Sequence, residues 1–138
     1  MTDPFAHIHD SFARQSFMHT LQARLTHVER GLCVMTAPIL EMTRQQHGAG
    51  HAGVTFTLGD TSAGYAALSV LPLGVEVMTS EIKIHLLRPA MGDMLEATGE
   101  VIKAGRRLVI VRSDVHAITG DQRVLIATLL GTMVPVDP

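Results

Sequence analysis

The sequence predicts an α+β domain in which an antiparallel sheet packs against one long, apolar helix. Three observations carry that expectation. Short runs with period-two alternation of apolar and polar residues flank the middle of the chain. A small-residue, apolar segment from about Ala52 to Val70 reads as a helix, stopped by Pro72 and Gly74. Turn residues punctuate the alternating runs at Glu29-Arg30-Gly31, Ala104-Gly105-Arg106 and Thr119-Gly120-Asp121.

Taken in order, residues 1–9 read as a loose end. Asp10 or Ser11 is placed to cap a helix running to about Leu21, with Phe12, Phe17, Met18 and Leu21 on its apolar side. Leu21, Ala23 and Leu25 then alternate up to the first turn. Leu32, Val34 and Thr36 alternate with Cys33, Met35 and Ala37, and Pro38 ends that strand. After the central helix, Met78, Ser80, Ile82, Ile84 and Leu86 alternate with Thr79, Glu81, Lys83 and His85, up to Pro89. Strands over 95–103, 108–117 and 124–134 complete the sheet. Within the helix, Gly59 and Gly64 each disfavour helix by roughly 1 kcal/mol relative to Ala. Both therefore predict close approach of another backbone.

The totals narrow the class. A chain of 138 residues is one domain with a real core. A net charge of −2 argues against a general nucleic-acid binder. No apolar run reaches the length needed to cross a membrane, and the N-terminus lacks the pattern of a signal peptide. The single cysteine, Cys33, excludes an intrachain disulfide and fits a reducing cytoplasm. It reads as a buried small hydrophobe. The eight histidines form no recognisable metal site, and no cofactor is expected.

One charge stands alone. Between Arg44 and Glu76, histidines aside, Asp60 is the only formal charge. Its neighbours three and four positions away are Phe56, Thr57, Ala63 and Gly64, so no local ion pair accounts for it. An acid on such a face is costly unless it is solvated, hydrogen-bonded or used.

Together with Gly48, the triplet His51-Ala52-Gly53 and Asp60 nine residues after His51, this architecture resembles the hotdog fold. In more detail it resembles the acyl-CoA thioesterases of the phenylacetate-pathway (PaaI) type. The runs His85-Leu86-Leu87-Arg88-Pro89-Ala90 and Lys103-Ala104-Gly105-Arg106 support it, and the likeness spans roughly 11–134 of a single hotdog domain, 1–138. The resemblance implies a helix that carries the catalytic carboxylate, wrapped by the sheet. It implies a dimer or a dimer of dimers, with active sites across the subunit interface. The chain departs from the family pattern in the triplet, where Ala52 replaces a glycine. Gln45 stands where the family has an asparagine, and Thr79, with Ser80 beside it, where some members use a serine.

On that reading Asp60 acts as general base or nucleophile on a thioester. The first free N–H groups of the helix, at Ala52 and Gly53, make an oxyanion hole at the positive end of the helix dipole. His51 orients the thioester or the loop, and Gln45 holds water or the carbonyl. Lys103, Arg106, Arg107 and Arg88 are candidate contacts for the phosphates of coenzyme A. Met78 and Met94 belong to the core or line an acyl pocket. Two other functions compete. A non-catalytic acyl-CoA-binding regulator would keep the pocket without needing Asp60. A hotdog enoyl-thioester hydratase would carry Gly-Asp-x-Asn-Pro-x-His or Gly-His-Phe-Pro, and neither run is present.

Overall fold

The computed structural model describes residues 2–137. The elements are α1 (Ala6–Ala13), α2 (Ser16–Thr20), β1 (Arg24–Glu29), β2 (Leu32–Pro38), α3 (Ala52–Leu68), β3 (Glu76–Leu86), β4 (Met94–Ala104), β5 (Val109–Thr119) and β6 (Gln122–Val136), with one 3-10 turn at Glu41–Thr43. The strands form one sheet in the order β1-β2-β4-β5-β6-β3, antiparallel at every pairing. α3 lies on the inner face of that sheet, as the hotdog fold requires. No helix among the described residues is long and apolar enough to cross a membrane.

Small residues let the helix sit this close. Ser62, Ala63, Ala66 and Ala67 are fully buried against the sheet. Backbone meets backbone at a strand glycine: a Cβ on Gly99 would lie 2.3 Å from the carbonyl carbon of Ser62. Ser62 Oγ is 2.9 Å from Ser113 Oγ and donates to the Gly59 carbonyl, so both buried hydroxyls are satisfied. The expectation that both helical glycines meet a backbone is corrected. A Cβ on Gly59 would strike the Leu129 side chain at 2.7 Å, whereas one on Gly64 would find only Met133 Cε, at 3.9 Å. The apolar core runs on both sides of the helix through Leu58, Met35, Leu95, Val115 and Leu129. Cys33 is fully buried in β2, and burial pushes its thiol up to about 12.

Two local expectations fail for identifiable reasons. The N-terminus is not loose as far as residue 9. α1 begins at Ala6, Ile8 is fully buried, and Asp3 Oδ1 accepts from the Phe5 N–H at 2.9 Å. The helix expected to run from residue 10 to 21 is broken at Gln15, which is extended (φ −82°, ψ 101°). The second failure lies in β3. Its pairing with β6 shifts register between Thr79 and Glu81, a bulge at Ser80. A bulge reverses the inward–outward alternation. Val77 and Thr79 therefore share the inner side with Ile82 and Ile84, and Met78 turns outward, 63% exposed. Met78 is neither core nor pocket lining in this chain.

Candidate active site

Asp60 lies midway along α3, half-buried at the mouth of a cavity of about 220 Å³. The helix contributes Asp60, Gly64, Tyr65 and Leu68, which recur at helical spacing on one face. β3 contributes Glu76, Val77 and Thr79, and α1 and the segment before α2 contribute Ser11 and Gln15. Thr79 Oγ1 is 2.7 Å from Asp60 Oδ1 and donates to it, with Met133 Sδ at 3.3 Å from the same hydroxyl. The bulge at Ser80 is what turns Thr79 towards the helix. Simple alternation would have pointed it away. One carboxylate oxygen is thus oriented by a hydroxyl, and the other is left for a ligand.

The helix N-terminus forms a second, separate cavity of about 480 Å³, lined by Gln45, His51, Ala52, Leu87, Arg88 and Ala90 among others. Its loop is tightly organised. The Gln45 N–H donates to the Ala49 carbonyl at 2.8 Å, and the Gln45 side-chain Oε1 accepts from His47 N–H at 2.6 Å and Ala49 N–H at 3.3 Å. Gly48 supplies the turn with φ +89°, a value that favours glycine. Arg44 donates to the Gly48 carbonyl from inside the loop. Gln45 therefore spends its oxygen on the loop, and its amide NH₂ has no partner among the described residues.

His51 is the N-cap of α3, and its Nδ1 accepts from the Gly53 N–H at 2.8 Å. This corrects the expectation of two free donors. The Gly53 N–H is taken by the imidazole, and the Ala52 N–H is the one left to face a ligand. The same contact explains the glycine, because a Cβ at position 53 would sit 2.9 Å from His51 Nδ1. A neutral His51 in this arrangement carries its proton on Nε2.

Asp60 and Ala52 do not meet within one chain. Eight residues of helix separate them, about 12 Å along the axis. The four candidate coenzyme A cations are also divided. Arg88 lines the N-terminal cavity and donates to the Leu125 carbonyl at 3.1 Å. Lys103, in the last residues of β4, and Arg106 and Arg107, in the turn that follows, are exposed at the far end of β4, a strand of roughly 35 Å. Those three belong together, and Arg88 of the same chain does not join them. Sequence reasoning missed Ser11, Gln15, Tyr65 and Glu76. Nothing local marks them, because they converge on Asp60 only through the tertiary fold.

The comparisons with known proteins agree with this fold. The Thioesterase superfamily profile matches residues 47–124, more than half of the chain, which belongs to that family. Membership of that family makes the chain a thioester hydrolase. A thioesterase family protein from Silicibacter pomeroyi superposes with a TM-score of 0.95 at 34% identity, over 99% of this chain and 100% of that one. The acyl-coenzyme A thioesterase PaaI of Escherichia coli K12 is 26% identical over 83% of this chain and 79% of its own length. A Bacillus halodurans protein crystallised with CoA superposes with a TM-score of 0.80 at 25% identity, over 97% of this chain and 84% of that one.

Proposed function

We propose that the chain hydrolyses an acyl-CoA thioester to the free acid and coenzyme A, with Asp60 as the reacting carboxylate. The observation that carries this is a lone acid, half-buried at a cavity mouth and oriented by Thr79 at 2.7 Å. Structural ion pairing does not explain it, since Asp60 has no salt-bridge partner among the described residues. Its free oxygen either takes a proton from water as water attacks the carbonyl carbon, or attacks that carbon itself. Either route passes through a tetrahedral oxyanion whose collapse breaks the C–S bond and releases the coenzyme A thiolate; in the second route water then hydrolyses the acyl–Asp60 anhydride. The Ala52 N–H, at the positive end of the α3 dipole, and the unpartnered NH₂ of Gln45 are the donors for it. His51 holds the cap that aims the Ala52 N–H.

The separation of about 12 Å between Asp60 and Ala52 supports a site to which two subunits contribute one group each. The edge of β3 away from β6 has no partner strand among the described residues, and Met78, Leu86 and Leu87 are exposed near it. Pairing two copies along β3 covers that edge. It brings Asp60 of one copy towards Ala52 of the partner subunit in a homodimer, which can pair again into a tetramer. CoA as the thiol is supported by the name of the E. coli relative and by the CoA held by the B. halodurans protein. Lys103, Arg106 and Arg107 supply exposed cations for its phosphates, and Arg88 does so from the N-terminal cavity. Hydrolysis of an acyl-CoA panel by the wild type and by Asp60→Asn tests the reading. The variant keeps the shape and loses the charge, so it should be inactive on every member. Turnover near the wild-type rate would refute it.

A further inference from the structure

Arg44 carries a charge that no strong ion pair explains. Its salt-bridge partner among the described residues is Glu41, at 3.7 Å, and that side chain is 98% exposed, so the pair contributes little. The Arg44 side chain is 30% exposed and turns back into its own loop. There one guanidinium nitrogen donates to the Gly48 carbonyl and another to the Ile39 carbonyl, a long contact at 3.5 Å. Arg44 does not line the cavity at the start of α3, whereas Gln45 beside it does. A cation held on backbone carbonyls behind a site is a fastening.

The bonds of the loop show what it fastens. Backbone pairs secure most of the segment. The Gly48 N–H donates to the Gln45 carbonyl at 3.0 Å, the Gly50 N–H to Ala90 at 2.8 Å and the His51 N–H to Thr43 at 2.8 Å. The peptide unit between Gly48 and Ala49 is held differently, by a side chain at each edge. Its carbonyl accepts from Arg44, and its N–H donates to Gln45 Oε1 at 3.3 Å. The carbonyl and N–H of a trans peptide point in opposite directions. Arg44 and Gln45 therefore grip opposite edges of one plane. Gly48, at φ +89° and with nothing within 4 Å of a Cβ, lets that plane turn unless it is gripped.

We infer that Arg44 is a positioning residue, which fixes the Gly48–Ala49 peptide and so keeps the Gln45 oxygen on the loop and its NH₂ free for the substrate. This rests on the proposal that Gln45 donates to the oxyanion. Without Arg44, the Gly48 carbonyl loses its side-chain donor and the peptide can turn. A carbonyl turned towards Gln45 takes the NH₂ as its donor, and the oxyanion then faces an acceptor. The His47 N–H, 2.6 Å from the same Oε1, opposes that turn, so the loss is partial.

The test is steady-state hydrolysis of one acyl-CoA by the wild type, Arg44→Met, Arg44→Lys, Gln45→Glu and the double variant Arg44→Met/Gln45→Glu. Arg44→Met should lower kcat about 10-fold and leave KM within about 2-fold, because the guanidinium touches no substrate. Arg44→Lys keeps a donor for the Gly48 carbonyl and should recover most of that loss. Gln45→Glu keeps the accepting oxygen and removes the NH₂, so kcat should fall about 10-fold or more. Adding Arg44→Met to it should lower kcat by less than about 2-fold further, since no donor is left to misdirect. Should Arg44→Met not fold, Arg44→Gln takes its place, with a smaller loss of kcat and the same unchanged KM. Unchanged kcat at position 44, a raised KM with kcat intact, or fully additive losses in the double variant would each overturn the inference. Wild-type kcat in Gln45→Glu would instead refute the donor reading beneath it.

Discussion

The two ends of the catalytic apparatus differ in how they are built. At the start of α3, local bonds do almost everything. Gln45 closes its own loop, and His51 caps the helix two residues on. At Asp60 nothing is local. The hydroxyl that orients the carboxylate comes from β3, and the cavity beside it is closed by residues of α1 and the segment preceding α2. The first region is a donor site preformed by short-range geometry. The second is a reacting group whose surroundings exist only when the whole domain is folded. The two lie about 12 Å apart in one chain. If, as proposed, each region is half of a site, assembly is a condition of catalysis.

This contrast can be broken by damaging one half at a time. The largest loss is expected at the reacting group. Asp60→Asn should lower kcat by 100-fold or more, read in steady-state hydrolysis of the best acyl-CoA. At the donor half, Ala52→Pro removes one N–H and little else. Proline is tolerated at the first helical position, and His51 before it is already extended (φ −62°, ψ 138°). Loss of one such donor costs about 3 kcal/mol of transition-state stabilisation, so kcat should fall by about 100-fold with the fold intact by circular dichroism.

The smallest effect belongs to the basic turn. Exposed charge contacts contribute about 0.5–1 kcal/mol each. Changing Lys103, Arg106 and Arg107 together to Ala should raise KM for CoA thioesters several-fold and weaken its salt dependence. Thioesters of a short, uncharged thiol with the same acyl group should be unaffected. Equal losses on both substrates would remove the turn from CoA recognition.

The contrast also explains what could be read before folding. The order of helix, two strands, helix and four strands was legible because alternation and turn residues are local signals. The turns at Gly31 and Gly120 do adopt positive φ. Asp60 was legible because its isolation is a property of the chain itself. The His51 cap is equally local, and a ring acceptor two residues before Gly53 is a pattern that a sequence can display. The bulge at Ser80 was not legible. Alternation through Met78, Ile82 and Leu86 reads as one unbroken face, and only pairing with β6 reveals the shift that turns Thr79 to Asp60. The clasp of Ser11 and Gln15 on Tyr65 was hidden for a similar reason, since its partners lie 54 and 50 residues apart in sequence. The helix break at Gln15 that permits it runs against an apolar pattern favouring one longer helix.

The shared site is tested most directly by mixing two dead subunits. Asp60→Asn and Ala52→Pro chains, carrying different tags, are co-expressed, and the mixed dimers are purified through both tags. In a shared site, one of the two sites of each mixed dimer carries both lesions. The other joins an intact Asp60 to an intact Ala52 N–H. The purified mixed dimer should therefore recover about half the wild-type activity per dimer, although each parent has 1% or less of it. Mixed dimers as inactive as their parents would place Asp60 and the Ala52 N–H outside a common site and contradict the cross-subunit mechanism.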